Sequence, residues 1–122
     1  MTRQELECRT LAFAAAVVRL CQRLPPATGR RTLHDQLLAA ATAVGANYRA
    51  TSRARSRAEF VAKIAIVAEE ADEAVYWLEL GLRSGQCGAD AEPLLAEARE
   101  LRAIFGASYG TARRPLRNGR RT

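Results

Sequence analysis

Apolar side chains recur along this chain at alternating intervals of three and four residues, in four separate stretches. That period sets them on one face of a helix. The longest stretch organises the rest. Phe60, Ile64, Val67, Ala71, Val75, Leu78 and Leu82 form one stripe. Ser56 is placed as its N-cap, and Glu59 three residues on would close a capping box. From Ser56 to Leu82 the helix spans roughly 27 residues, or about 40 Å at 1.5 Å per residue. Such a helix cannot bury its own stripe, so the other stretches must supply partners.

The first stretch, residues 3–24, carries Leu6, Thr10, Phe13, Val17, Leu20 and Leu24, widened by Leu11, Ala14, Val18 and Cys21. Arg3, Arg9, Arg19 and Arg23 fall largely off that stripe. Pro25-Pro26 ends the helix, because a residue before proline avoids the helical region. Residues 25–31 form a loop in which Gly29 offers a turn.

The second stretch starts at Thr32, read as an N-cap with Asp35 three residues later. Its stripe is Leu33, Leu37, Ala40, Ala41, Val44 and Tyr48. Gly45 costs about 1 kcal/mol in a helix interior relative to alanine, so its presence suggests tight packing or a nearby helix end. Asn47 lies on or beside the apolar face and would need hydrogen-bond partners if buried. Residues 49–55 form a corner. After the third helix and a glycine-containing loop (residues 83–89), Asp90 is expected to cap the fourth helix, with Pro93 in its first turn. Leu94, Ala98, Leu101 and Phe105 line its inner face beside Ile104, and Gly106 or Gly110 ends it. Four amphipathic helices with short links predict an all-α, antiparallel up-down-up-down four-helix bundle. The bundle takes residues 1–112, and residues 113–122 make a basic flexible tail.

Composition agrees with that picture. The 122 residues are 48% hydrophobic, with few prolines and glycines, as an all-helical domain with a real core requires. No run approaches the ~18 apolar residues of a membrane span. The short apolar run at residues 11–18 follows acids and fits a core helix better than a signal peptide. Three cysteines (Cys8, Cys21, Cys87) lack metal-site spacing and are read as reduced thiols of a cytoplasmic protein.

Charge is unevenly spread. Residues 1–60 hold ten arginines against four acids, residues 61–112 hold four bases against nine acids, and residues 113–122 hold five arginines and no acid. Arg49, Arg53, Arg55, Arg57 and Lys63 gather at the corner, while Arg113, Arg114, Arg117, Arg120 and Arg121 fill the tail. Arginines so clustered can neutralise phosphates, with a steep salt dependence. A solvated basic surface is the bland alternative, and a GC-rich genome accounts for part of the preference for arginine over lysine. Tyr48 or Tyr109 could stack on a base, although helix packing accounts for both.

The acids do not make an enzyme. Glu69 and Glu73 lie one turn apart, but His34, the sole histidine, has no glutamate three residues before it, so a di-iron motif is missing. No catalytic triad, metal site or cofactor is expected. Glu69, Asp72 and Glu79 are read as solvated, and Glu73 as paired with a base or with Asn47 across the bundle. Val61, Ile66, Trp77 and Leu80 lie off the main stripe of the third helix, a surplus that suggests subunit contact.

The order of these features resembles the four helix bundle protein family, also called the 23S ribosomal-RNA intervening-sequence protein family. It is similar too to the accessory variability proteins of diversity-generating retroelements. The resemblance runs from about Leu11 to Tyr109. It rests on Leu24-Pro25, on Leu33, Gln36, Leu37, Ala40 and Ala41, and on Asn47. Arg55, Ser56, Arg57, Glu59 and Phe60 continue it, followed by Glu73 and Tyr76-Trp77-Leu78. The chain departs at the corner, where Asn47-Tyr48-Arg49-Ala50-Thr51 replaces the usual Asn-Ile-Ala-Glu-Gly. The resemblance implies a bacterial homo-oligomer, commonly a pentamer, without known catalysis. It implies nucleic-acid binding and, for the retroelement proteins, pairing with a reverse transcriptase. The resulting expectation is a non-enzymatic accessory factor that binds RNA or DNA. A scaffold that binds only protein is the alternative.

Overall fold

The computed structural model describes residues 1–24 and 30–115, with Arg30 described by its backbone alone. It contains four helices, α1 (Arg3–Arg23), α2 (Arg30–Ala50), α3 (Arg57–Arg83) and α4 (Glu92–Ala112), joined in part by 3-10 turns at Thr51–Arg53 and Ala89–Ala91. Consecutive helices pack antiparallel, and α1 also touches α4, which closes the four-helix bundle.

Each helix begins and ends for local reasons. In α1, Glu5 N–H donates to Thr2 Oγ1 and Thr2 N–H donates to Glu5 Oε1, a reciprocal capping box. These bonds and the adjacent chain terminus hold the Glu5 carboxyl below its usual range. Leu24 is extended (φ −77°, ψ 123°), as a residue before proline should be. Pro25, Pro26 and the expected turn at Gly29 lie outside the described residues. Ser56 caps α3 by accepting from Glu59 N–H (3.0 Å). The Glu59 carboxylate reaches one residue beyond the expected box and accepts from Arg55 N–H (2.6 Å).

Two expected starts are displaced. α2 begins at Arg30 instead of being capped by Thr32. Straight-chain arginines cost a helix little, so Arg30 and Arg31 extend it, while Asp35 faces Arg31 and His34. Asp90 does not cap α4. It sits in the preceding 3-10 turn, where its carboxylate accepts from Arg23 Nη2 (2.9 Å), and Ala91 occupies the cap without a side-chain bond. α4 runs through Gly106 and Gly110 to Ala112.

The core follows the stripes. Val17, Leu20, Leu37, Val44, Ile64, Val67, Val75, Leu78, Leu101 and Phe105 are essentially sealed from solvent. Burying one such side chain contributes about 1.5–3 kcal/mol. On α4 the inward position is Leu95, with Leu94 half-buried. Leu11 does not widen the α1 stripe, since it is 59% exposed. Gly45 lies where α2 meets α1. A Cβ there would stand 2.9 Å from Thr10 Oγ1, so the expected tight packing is present. In the α3–α4 link, Gly85 takes φ +77°, which an L side chain rarely adopts.

Candidate nucleic-acid interface

Antiparallel order brings the start of α1, the end of α2, the start of α3 and the end of α4 to one end of the bundle. The corner arginines and the first tail arginines, more than fifty residues apart in sequence, therefore meet. Arg57 Nη2 donates to the Arg114 carbonyl oxygen at 2.9 Å. Arg49, Arg53, Arg55, Arg113 and Arg114 are all exposed around that contact.

Several of these side chains have structural engagements that leave their charge facing water. Arg55 lies 3.6 Å from Glu59, yet its side chain is 89% exposed. Arg113 stacks 5.4 Å from the Tyr109 ring centroid. Arg49 and Arg53 have no carboxylate within ion-pair distance among the described residues. Arg49 and Arg113 also sit at the C-terminal ends of α2 and α4, where the helix dipole favours a cation. Lys63 lies nearly two turns into α3 and is half-buried, so it stands apart from this group. Arg117, Arg120 and Arg121 lie outside the described residues.

The corner is held by Tyr48, Thr51 and Arg3. Thr51 Oγ1 donates to the Tyr48 carbonyl oxygen (2.6 Å), closing the end of α2. Arg3 Nη2 donates to the same Thr51 oxygen (2.6 Å), and its guanidinium lies 4.6 Å over the Tyr48 ring. Tyr48 is buried and packs on Phe105, with ring centroids 5.2 Å apart. A buried tyrosine covered by arginine has no face to offer a nucleobase. Tyr109 is likewise half-buried beneath Arg113. Arg3 is a member of this end that no local sequence pattern marks, because only the topology brings it there.

Glu69 and Asp72 are exposed, as expected, and Asp72 and Glu79 keep 68% and 45% of their side-chain surface in solvent while each meets an arginine of α4. Arg102 Nη1 reaches Asp72 Oδ1 (3.3 Å) and Arg99 Nη2 reaches Glu79 Oε2 (2.8 Å), which stitches α4 to α3. Glu73 does not meet Asn47. It accepts from Trp77 Nε1 one turn along (3.4 Å), and Asn47 Nδ2 donates to the Ala43 carbonyl oxygen (2.9 Å). Partial burial, reinforced by Glu73 and Glu69, raises the Glu70 carboxyl above its usual range. Among the described residues no cluster of three or more His, Cys, Asp or Glu is arranged to hold a metal. No described helix is long and apolar enough to cross a membrane.

The off-stripe residues of α3 divide. Ile66 and Leu80 are exposed, whereas Val61 and Trp77 are half-buried, the latter against the core. Tyr76, 55% exposed, joins the outward face instead.

These features define the class, an antiparallel four-helix bundle with one arginine-rich end. The chain belongs to the 23S rRNA-intervening sequence protein family, whose model matches residues 5–107. Among solved structures it is similar to a protein of unknown function from the S23 ribosomal protein family of Bacteroides thetaiotaomicron. The two are 28% identical with a TM-score of 0.77, over 90% of this chain and 99% of that one. A search of the curated proteins found no match.

Proposed function

We propose that this bundle is a non-enzymatic, cytoplasmic RNA-binding protein that contacts phosphates through its arginine-rich end. The observation that carries this reading is the convergence of Arg49, Arg53, Arg55 and Arg57 with Arg113 and Arg114, pinned by the Arg57 bond to the Arg114 carbonyl. Exposed guanidiniums without full carboxylate partners suit bidentate phosphate contact. The family's description, which refers to ribosomal RNA, supports RNA over DNA as the first ligand to try. Arg117, Arg120 and Arg121, outside the described residues, would add positive charge to the sequence that follows Arg114.

The active form in this reading is a homo-oligomer, and the family resemblance favours a pentamer. Leu11 on α1 and Ile66, Tyr76 and Leu80 on α3 leave apolar surface outside the bundle core, which subunit contact would cover. Repeating the basic end around a ring multiplies weak contacts through effective concentration. Its role is that of an accessory factor to an RNA-handling enzyme, with a reverse transcriptase the partner implied by the likeness to retroelement accessory proteins.

Fluorescence anisotropy with a structured RNA tests this reading. Affinity should fall about 10³-fold or more between roughly 50 and 200 mM salt. Absence of binding at low salt would refute it and turn attention to a protein partner for the α3 face.

A further inference from the structure

Beside the arginine cluster, between the start of α3 and the end of α4, lies a shallow cleft of about 500 Å³ lined by Arg57, Phe60, Ala107, Ser108, Thr111 and Ala112. Resting on the RNA-binding reading above, we infer that this cleft receives an unpaired nucleobase, so that the basic end prefers single-stranded or looped RNA to duplex.

The lining has the chemistry such a ligand needs. Its floor includes the half-buried Phe60, an aromatic side chain on which a base can stack. Ala107 and Ala112 are small and leave room beside it. Ser108 and Thr111 supply hydroxyls that can donate to or accept from a base edge. Elsewhere in this bundle helical threonines turn back on their own helix: Thr10 bonds the Leu6 carbonyl and Thr42 bonds the Leu38 carbonyl. Ser108 and Thr111 make no such bond among the described residues. Arg57 stands at the rim with its guanidinium tied to the Arg114 carbonyl.

The neighbourhood selects the form of the nucleic acid. Arg55 lies two residues before Arg57, Arg113 and Arg114 directly follow Ala112, and these exposed arginines can hold the phosphates next to an inserted base. A duplex offers the same phosphates but keeps its bases stacked inside, out of reach of Phe60. Sequence-tolerant recognition of unpaired RNA combines basic tracking of the backbone with aromatic stacking in this way. The tyrosines that sequence alone marked for stacking are covered by Arg3 and Arg113, which leaves Phe60 as the aromatic residue lining the cleft.

The test compares an RNA hairpin with a wide unpaired loop against a blunt RNA duplex carrying the same number of phosphates. The proteins are the full chain, Ala107→Leu, which fills the cleft from an exposed helical position, and Phe60→Leu, which keeps apolar bulk but removes the ring. Circular dichroism and thermal melting establish that each variant folds. The full chain should bind the hairpin about tenfold more tightly than the duplex, and both variants should lose that preference while keeping the duplex affinity. Equal affinity of the full chain for hairpin and duplex would overturn the cleft assignment and leave the phosphate-binding reading standing. So would a preference that survives in the variants, or a parallel loss for both RNAs. Failure to bind either RNA would overturn both.

Discussion

Arg9 and Glu97 join the first helix to the last by a two-pronged ion pair, Nε to Oε2 at 2.6 Å and Nη2 to Oε1 at 2.8 Å. Glu100 accepts from the same guanidinium. These partners, Glu97 foremost, push Arg9 further above its usual range against the modest opposing effect of burial. At the far end Arg23 and Asp90 join α1 to the 3-10 turn that precedes α4. The basic first half and the acidic fourth helix are therefore consumed partly by each other, which separates structural arginines from those free to meet a ligand.

Arg9→Lys keeps the charge but cannot present the fork. It should lower stability by about 1 kcal/mol, with a fall in Tm of about 3–5 °C. The deficit should shrink at high salt. Thermal melts at two ionic strengths check both points, and an unchanged Tm would mean that the pair is held only weakly in solution.

Gly45→Ala should destabilise the bundle by about 1–3 kcal/mol through overpacking, although alanine is the better helix former. The added Cβ meets Thr10 Oγ1 at 2.9 Å and Thr10 Cβ at 3.2 Å. With Thr10→Ala in place the 2.9 Å contact with the hydroxyl is removed while the 3.2 Å contact with the Cβ of residue 10 stays, so the same Gly45 substitution should cost measurably less. A double-mutant cycle by urea denaturation measures that coupling.

Glu70 carries a carboxyl whose pKa is raised by partial burial and by Glu73 and Glu69. The folded state thus holds its proton more tightly than the unfolded state. Its contribution is most favourable at low pH and diminishes as pH rises through the raised value. At neutral pH Glu70→Gln should stabilise by about 0.3–0.5 kcal/mol, the size of one like-charge contact on a helix. That gain should vanish below the carboxylate range, as paired denaturation curves at pH 7 and pH 3.5 would show.

Cys21 and Cys87 are buried and Cys8 is exposed. Burial pushes the Cys21 thiol from 9.0 up to about 11, which keeps it protonated and poorly nucleophilic. A thiol reagent at pH 8 should modify Cys8 rapidly and the other two only on unfolding, as mass spectrometry of timed samples would reveal. The raised thiol adds stability that is complete below pH 9 and is lost as pH climbs toward 11.

Much of this architecture was legible in the residues themselves. The stripes of Leu33 to Tyr48 and Phe60 to Leu82 marked their helices because periodicity follows burial directly. Ser56 announced the start of α3, and Pro25 explains the extended Leu24. The exceptions have physical causes. Leu94 and Leu95 fit the α4 period equally well, and only the actual helix phase chose between them. Leu11 matched a wide stripe but faces outward. Asp90 looked like a cap until Arg23, distant in sequence, claimed its carboxylate. At the candidate site the arginines of the corner and tail were visible as separate clusters. Their meeting, and the presence of Arg3 and of the Phe60 cleft beside them, arise from tertiary packing that local pattern does not encode.

The central claim is that the arginine-rich end, and not overall positive charge, binds RNA. It is tested most directly by measuring the salt slope of RNA binding for two sets of substitutions. One set removes Arg53, Arg55 and Arg57 at the basic end, and the other removes Arg19 and Arg83 toward the opposite end. If the basic end holds the RNA, the first set should reduce the slope of log K against log salt by about 0.7–0.9 for each phosphate that is no longer neutralised. The second set should leave the slope nearly unchanged. Equal slopes for the two sets, or a larger change in the second, would contradict the assignment.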